Sequence, residues 1–421
     1  MLKRNRRAIT KAWSIATIAC IIVASLAVGI YCIQTLNTVP STSAKIGVLE
    51  PLTGAQAMGG EYARNAMELA VKTINDAGGI KSLGGMRLEI VAADTQGKPE
   101  TSRTEAERLI LETKVTAILG GYTSSSAMTI TEATERYQVP FICAEPTSPR
   151  LTDHTNNFTY YFRPGPHDGM FAQAQFDFLR EQENKTGQKI GNLCLIYENS
   201  LYGTSCGELW RQLANQYGYR VTADVTYTMN TPDLSTEVTK LKQGNPEIIF
   251  AVGAAADAIT IHRELIRQRV TYKALIAMGA GFTHQDYVNA LGTQAEFTMS
   301  RMAWCQDLQK ENSRTADAKF WSLYKSHFDD VSSRAYAAVW VLYYALEKAA
   351  STEPKRVADV LRTLELSENQ WIMPFPLKFD QTGQNIYASG VIAQIQNGSY
   401  HTVWPGKFAT QEAIFRAGPQ E

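Results

Sequence analysis

Residues 46–54 read IGVLEPLTG, an apolar run that stops at Glu50-Pro51 and turns at Thr53-Gly54. Beyond the turn, Ala63, Ala66, Met67, Ala70, Val71 and Ile74 recur at helical spacing, and Gly78-Gly79 supplies a C-terminal stop. The stretch is therefore one strand-helix unit, and the same order repeats outward from it. RLEIVAA (87–93) predicts a second strand, 101–113 a second helix and TAIL (116–119) a third strand. A helix with Ile130, Ala133, Thr134 and Tyr137 on one face follows, then the strand Pro140–Ala144. Strands that alternate with helices require crossover connections, so the fold class is α/β with a parallel sheet.

The pattern restarts after Phe162-Arg163-Pro164-Gly165-Pro166, which predicts a second α/β domain. Its helices are expected over 169–183, along the stripe Cys206, Leu209, Trp210, Leu213, Ala214, Tyr217, up to Lys242, and over 255–268. Its strands are expected at 192–197, 221–227, 247–253 and 274–278. Two further helices, 314–328 and 334–350, come next. The apolar AYAAVWVLYYAL of the second marks it as a buried core helix, too short and too polar-flanked for a membrane span. Two short strands, FPLKFD and SGVIAQIQNGSY, close the chain, the latter turning at Asn397-Gly398.

A chain of 421 residues with 44% hydrophobic and 19% charged residues exceeds one ordinary core and fits two or three domains. Basic and acidic residues both number 41, which removes the charge excess that a nucleic-acid partner needs. Five of the basic residues and none of the acidic ones lie in residues 1–44, leaving 36 against 41 in the body. Residues 12–33 carry no charge and are long enough to cross a bilayer, and the basic cluster before them marks the cytoplasmic side. Residues 1–44 thus read as a signal or membrane anchor that places the body outside the cytoplasm, periplasmic if the envelope has that compartment. The length of the run argues for a retained anchor, while Thr42-Ser43-Ala44 offers small residues for cleavage. Arg6-Arg7 matches a twin-arginine export motif, though paired arginines are common in any basic leader, and neither Cys20 nor Cys32 sits in a convincing lipidation box. Cys143, Cys194, Cys206 and Cys305 show no CxxC spacing; the first three read as core residues, and an oxidising compartment leaves a disulfide open.

The third strand ends in Gly120-Gly121-Tyr122-Thr123-Ser124-Ser125-Ser126 and leads straight into a helix. Open α/β sheets take ligands beyond the carboxyl ends of their strands, and a helix start offers free N–H groups to an anion. A single capping serine explains part of this pattern without a ligand. The fourth strand repeats the theme in Ala144-Glu145-Pro146-Thr147-Ser148-Pro149, and the second domain's YENSLYG puts Tyr202 at a helix start. Gly253-Ala254-Ala255-Ala256 and Met278-Gly279-Ala280-Gly281 permit close backbone approach at two more strand ends. P-loop and HExxH motifs are absent and the six histidines form no metal-spaced pair, so neither catalysis nor a cofactor is indicated.

Pro51-Leu-Thr-Gly54, INDAGGI (74–80), GGYTSSS (120–126), YENSLYG (197–203), FDQTG (379–383) and QNGSY (396–400) occur in that order. From about Lys45 to Val403 the chain resembles the branched-chain amino-acid (Leu/Ile/Val) type of periplasmic binding protein, the substrate-capture component of ABC transporters. That resemblance implies a two-lobe type I fold, each lobe a parallel sheet flanked by helices, with three hinge crossovers. Lobe 1 would comprise about 45–166 plus 304–389, and lobe 2 about 167–303 plus 390–421. It further implies that Ser124, Ser125 and Thr147 hold a ligand carboxylate, that Tyr202 covers the ligand, and that an ABC permease in the inner membrane is the partner. Ala255 lies at a matching strand end. The acidic residue that neutralises the ligand ammonium in such proteins matches Ala280, so that counter-charge is missing; Glu145 is the nearest substitute, with a solvated loop glutamate the equal alternative. A position that often carries an aromatic matches Gly59, which implies a roomier pocket. The implied function is capture of an amino acid or another small carboxylate, without catalysis; a membrane-tethered ligand sensor with the same fold is the alternative.

Overall fold

In the computed structural model, which describes residues 43–153, 155–156 and 158–416, the run at 46–54 forms β1 (Ala44–Glu50) and leads into α1 (Ala57–Asp76). There follow β2 (Leu88–Asp94), α2 (Pro99–Arg108), β3 (Ala117–Gly120), α3 (Ser124–Tyr137), β4 (Phe141–Cys143) and β5 (Tyr161–Phe162). These strands make one sheet in the order β2-β1-β3-β4-β5, with every neighbouring pair parallel. Leu49 pairs with Gly120 and Gly120 with Cys143, so β1, β3 and β4 end level at one edge.

The second sheet grows from α4 (Asp168–Thr186), β6 (Asn192–Glu198), α5 (Leu201–Tyr217), β7 (Arg220–Tyr227), α6 (Ser235–Gln243), β8 (Ile248–Ala251), α7 (Ala255–Arg267), β9 (Ala274–Ala277), α8 (Gln285–Leu291) and β10 (Met299–Met302). The chain then makes α9 (Glu311–Tyr324), α10 (Asp330–Ala349), α11 (Pro354–Arg362) and the small pair β11 (Glu365–Leu366) and β12 (Leu377–Lys378). It returns to the second sheet as β13 (Val391–Gln396) and β14 (Ser399–Trp404), giving the order β14-β13-β10-β9-β8-β6-β7. The pairs from β10 to β7 are parallel; β13 and β14 add antiparallel. This is the expected two-lobed type I architecture, with an all-parallel sheet in one lobe and, in the other, a parallel sheet extended at one edge by two antiparallel strands.

Helices cover both faces of each sheet, which is why β3, β8 and β9 are buried at every position and read as unbroken apolar runs. In β1 the faces separate by period two: Ile46 and Val48 join the core that holds α1 and α10, while Leu49 joins Ala106 and Ile130 on the other side. Helix α10, buried along most of its length, packs against α1. It begins four residues before the expected Arg334 because Asp329 and Ser332 form a capping box, with the Ser332 N–H donating to Asp329 Oδ1 at 2.7 Å. Helix α9 stops at Tyr324, four residues early, where Lys325 turns left-handed (φ 56°) and Asp317 Oδ1 takes the Phe328 N–H at 2.7 Å. Helices α8 and α11 and the strand β10 have no counterpart in the sequence reading.

Of the expected signal or anchor segment, 1–44, residues 1–42, with Cys20 and Cys32, lie outside the described residues, and its last residue, Ala44, already opens β1. Among the described residues no helix is long and apolar enough to cross a membrane. Cys143, Cys194, Cys206 and Cys305 are buried and unbridged.

Candidate functional site

Strand β3 runs out through Gly120 and Gly121, whose φ values of +99° and +104° are costly for any residue with a side chain. A Cβ on Gly120 would overlap the Glu50 carboxylate and lie 2.7 Å from the Leu49 carbonyl; one on Gly121 would lie 2.9 Å from Phe141. The two glycines let the chain turn tightly into Thr123, the N-cap of α3, whose hydroxyl accepts the Ser126 N–H at 3.2 Å. Thr123 therefore performs the capping that sequence alone could assign to a serine. Ser124 is released for another contact: its Oγ accepts the Ser148 N–H at 3.3 Å and ties the β3 loop to the β4 loop. The N–H groups of Ser124 and Ser125 belong to the first turn, which a helix cannot satisfy internally.

The β4 loop holds Glu145, Pro146 and Thr147. Glu145 is 4% exposed, so the solvated alternative does not hold. Its Oε2 accepts the Tyr122 N–H at 3.4 Å, whereas Oε1 is buried without a hydrogen-bond partner. Burial pushes its pKa up to about 7, against the pull of the Arg334 guanidinium and the Tyr122 N–H. Glu50 is fully buried with neither carboxylate oxygen hydrogen-bonded, and burial followed by repulsion from Glu145 raises it well above the usual range.

From the second sheet, β6 delivers Glu198 and then Ser200, the N-cap of α5, whose hydroxyl accepts the Gly203 N–H at 3.2 Å and donates to Glu198 Oε1 at 2.7 Å. Burial pushes Glu198 up to about 6, with the Ser200 hydroxyl pulling the other way and Asp257 adding to the rise. The Tyr202 hydroxyl donates to the Met278 carbonyl and accepts from Arg301 Nη2 at 3.2 Å. Strand β8 leads through Val252 and Gly253 to Ala254 and Ala255, the N-cap and first residue of α7, and β9 leads into the turn Ala280–Thr283, where a Cβ on Gly281 would lie 2.5 Å from the Ala254 backbone. Beneath these loops Asp330 Oδ2 accepts from Arg301 at 2.8 Å and from Arg334 at 2.9 Å.

The loops of the two sheets enclose one cavity of about 130 Å³. An apolar void of roughly 150 Å³ takes a benzene-sized guest, so the occupant is small. Ser124, Ser125, Glu145, Thr147, Tyr202 and Ala255 all line it; Ala280 opens the turn whose next residue, Gly281, lines it. Contacts between the lobes close its surroundings: Gln56 Nε2 to Met229 Sδ at 3.9 Å, Ser148 to Ser205 at 2.9 Å, and Arg150 to both carboxylate oxygens of Glu208 at 3.0 and 3.1 Å. His284 joins them through an ion pair with Asp329.

The expectation of extra room at Gly59 is overturned. A Cβ there would collide with the Tyr122 hydroxyl and lie 2.7 Å from its Cζ, so the space a side chain at 59 could fill belongs to the Tyr122 ring. Sequence reasoning also missed Glu198, His284, Arg301 and Arg334 in the wall. The one signal for the arginines was a charge inside otherwise apolar runs, MSRMAW for Arg301 and RAYAAVW for Arg334. Among the described residues no group of three or more His, Cys, Asp or Glu side chains is placed to hold a metal ion.

Comparison with known proteins follows this geometry. The family profile described as "Periplasmic binding protein" matches residues 43–399. A curated relative, Leu/Ile/Val-binding protein homolog 7 of Brucella abortus, is 25% identical over 398 residues, covering 92% of this chain and 98% of its own. The crystal structure of the branched-chain amino acid transporter substrate-binding protein LivJ from Streptococcus pneumoniae, in complex with isoleucine, superposes with a TM-score of 0.75 at 20% identity over 86% of this chain and 100% of that one. A solute-binding protein of an ABC transporter from R. palustris, in complex with benzoate, gives a TM-score of 0.75 at 16% identity over 88% of this chain and 99% of that one.

Proposed function

The chain belongs to the periplasmic binding protein family, and on that premise we propose that it is an extracytoplasmic solute-binding protein. It captures an amino acid or similar small carboxylate between its lobes and presents it to an ABC permease. In this reading lobe 1 is 45–166 plus 304–389, lobe 2 is 167–303 plus 390–421, and the three connections between them are the hinge. The observation that carries the reading is the convergence of the N-termini of α3, α5 and α7 on one small cavity between the sheets. Each brings free N–H groups and a partial positive charge, and together they favour a carboxylate. Ser124, Ser125 and Thr147 are the proposed carboxylate contacts; Tyr202 and Ala255 face the ligand from the other lobe. That curated relatives are Leu/Ile/Val-binding protein homologues and that structural neighbours hold isoleucine or benzoate supports the same class.

Isothermal titration of the body against the L-amino acids and a set of small organic acids that includes benzoate tests the reading. At least one carboxylate should bind. Ser124→Ala and Tyr202→Ala should each weaken binding about tenfold or more, the worth of one hydrogen bond to a charged group, with circular dichroism showing each variant still folded. Binding of none of these compounds, or wild-type affinity in both variants, would refute it.

A further inference from the structure

The cavity wall holds more negative charge than its cations answer. Every hydrogen bond of Arg334 goes to Asp330 or to the backbone carbonyls of Ala144 and Glu145, none to a glutamate carboxylate. Arg301 is directed to Asp330 and Tyr202, with Asp168 at 3.8 Å, and His284 to Asp329. Glu50 and Glu145 are left without a bonded cation, and three of their four carboxylate oxygens are buried with no hydrogen-bond partner at all.

Topology brings these two side chains together. β1 and β4 flank β3, and the level register Leu49, Gly120, Cys143 puts Glu50 one residue and Glu145 two residues past the same rung. Between them Gly120 has no side chain, and the Glu50 carboxylate occupies the place where one would lie. Two carboxylates this close and this dry cannot both stay ionised without a cation, because a buried unpaired charge is costly and like charges repel. The other groups facing the pair are the Tyr122 N–H and phenol, the Cys143 thiol and the Arg334 guanidinium, the last already committed. Glu145 is the member that reaches the cavity, so a cation can approach the pair only from there.

We propose that the Glu50–Glu145 pair is the receptor for a positively charged group on the captured solute, and that the pair gives up a proton when that group arrives. Lobe 1 then supplies the counter-charge that Ala280 cannot supply from lobe 2. The inference rests on the reading above, that the cavity takes a small carboxylate, and narrows it to a solute carrying an ammonium as well. Before binding, the pair holds one shared proton; the ligand's ammonium replaces it, and the proton passes to the solvent. Neither Glu145→Gln nor Glu50→Gln leaves that exchange intact.

Three matched pairs test this: L-leucine with 4-methylpentanoate, L-alanine with propanoate, and L-phenylalanine with 3-phenylpropanoate, titrated calorimetrically near pH 7 in phosphate and in Tris. An amino acid should bind roughly 30-fold or more tighter than its des-amino partner, the loss expected when one partner of a buried charge pair is removed. Its binding heat should differ between buffers by up to one proton released. Glu145→Gln should erase both the preference and the release, and Glu50→Gln should keep binding but lose most of the release. At pH 8 without ligand both variants should melt at or above the wild-type temperature, whereas a merely structural role would lower it. Equal affinity for an amino acid and its des-amino partner, or binding without proton release, overturns the inference and leaves the capture of a carboxylate standing. Failure of all six compounds and of the wider panel overturns both.

Discussion

Introducing a methyl group at Gly59 tests whether Tyr122 is what shapes the lobe-1 wall. Gly59 lies in the first turn of α1, where alanine in place of glycine ordinarily stabilises a helix by about 0.5–1 kcal/mol. Here the new Cβ would strike the Tyr122 hydroxyl and lie 2.7 Å from Cζ, both closer than real Cβ contacts come, with Cε2 at a tight 3.0 Å. Overpacking of this kind costs about 1–3 kcal/mol, so Gly59→Ala should be destabilising by about 1 kcal/mol net. In a Tyr122→Ala background the obstacle is gone, and the same change should stabilise by about 0.5–1 kcal/mol. The sign reverses, and the coupling in a double-mutant cycle should be about 2 kcal/mol, well above the few tenths expected of independent sites. Urea denaturation of the four proteins at a common slope measures it. Gly60→Ala is the control: its Cβ would collide with the Pro51 carbonyl, and nothing done at 122 relieves that. If Gly59→Ala stabilises in both backgrounds, Tyr122 does not hold the space and the account of the narrow pocket fails.

Burial works against a charged His284, but the carboxylates of Asp329, Asp286 and Asp330 outweigh it and hold the imidazole above its ordinary value; Asp329 in turn is held below the usual range despite its own burial. A raised histidine contributes stability that is complete below about 6.5 and is lost as pH rises through its folded value, while the lowered aspartate contributes above about 3.8 and loses it on acidification. The ion pair should therefore be strongest between about pH 4 and 6.5, and His284→Gln should flatten the fall in melting temperature from pH 6 to 9; an unchanged slope would remove the pair from the account. Arg334→Met leaves Asp330 Oδ2 with Arg301 alone and strips the carbonyls of Ala144 and Glu145 of their donor. It should cost about 3–5 kcal/mol in urea denaturation, and a loss below 1 kcal/mol would show the guanidinium to be dispensable.

The alternation of strands and helices was legible because buried parallel strands leave apolar runs and flanking helices leave a 3.6-residue period. IGVLE, TAIL and EIIFAVG each mark a strand by composition alone. Strand β10 escaped because its MSRM carries a buried arginine where an apolar residue was expected, and α8 because GFTHQDYVNAL has too few turns to show a period. The hydroxyl-rich loops at 123–126 and 145–148 were legible as strand-to-helix turns. What they enclose was not, since Glu198, His284, Arg301 and Arg334 come from separate strands, loops and helices scattered over some 140 residues, and only the assembled fold brings them to one cavity. Gly59 shows the opposite hazard. A missing side chain reads as space, yet Tyr122, 63 positions later, fills it, and no local pattern announces that.

The arginines under the cavity act as a clamp on one loop more than as contacts for a ligand. Arg163 donates to the carbonyl of Ser148 at 2.8 Å and reaches that of Pro146 at 3.5 Å, while Arg334 takes those of Ala144 and Glu145. Four carbonyls of one short loop are thereby drawn toward two guanidinium groups, which fixes the loop's orientation before any ligand arrives. Carbonyls held on that side leave Thr147 and the Glu145 carboxylate to face the cavity, beside the loop that leads into the helix start at Ser124 and Ser125. A site held in this way spends little binding energy on ordering itself. On the proposal above, the amide dipoles and the Glu145 carboxylate stand side by side at fixed places, so a solute bearing both charges gains from each, whereas a bare anion gains from the dipoles and meets repulsion from the carboxylate.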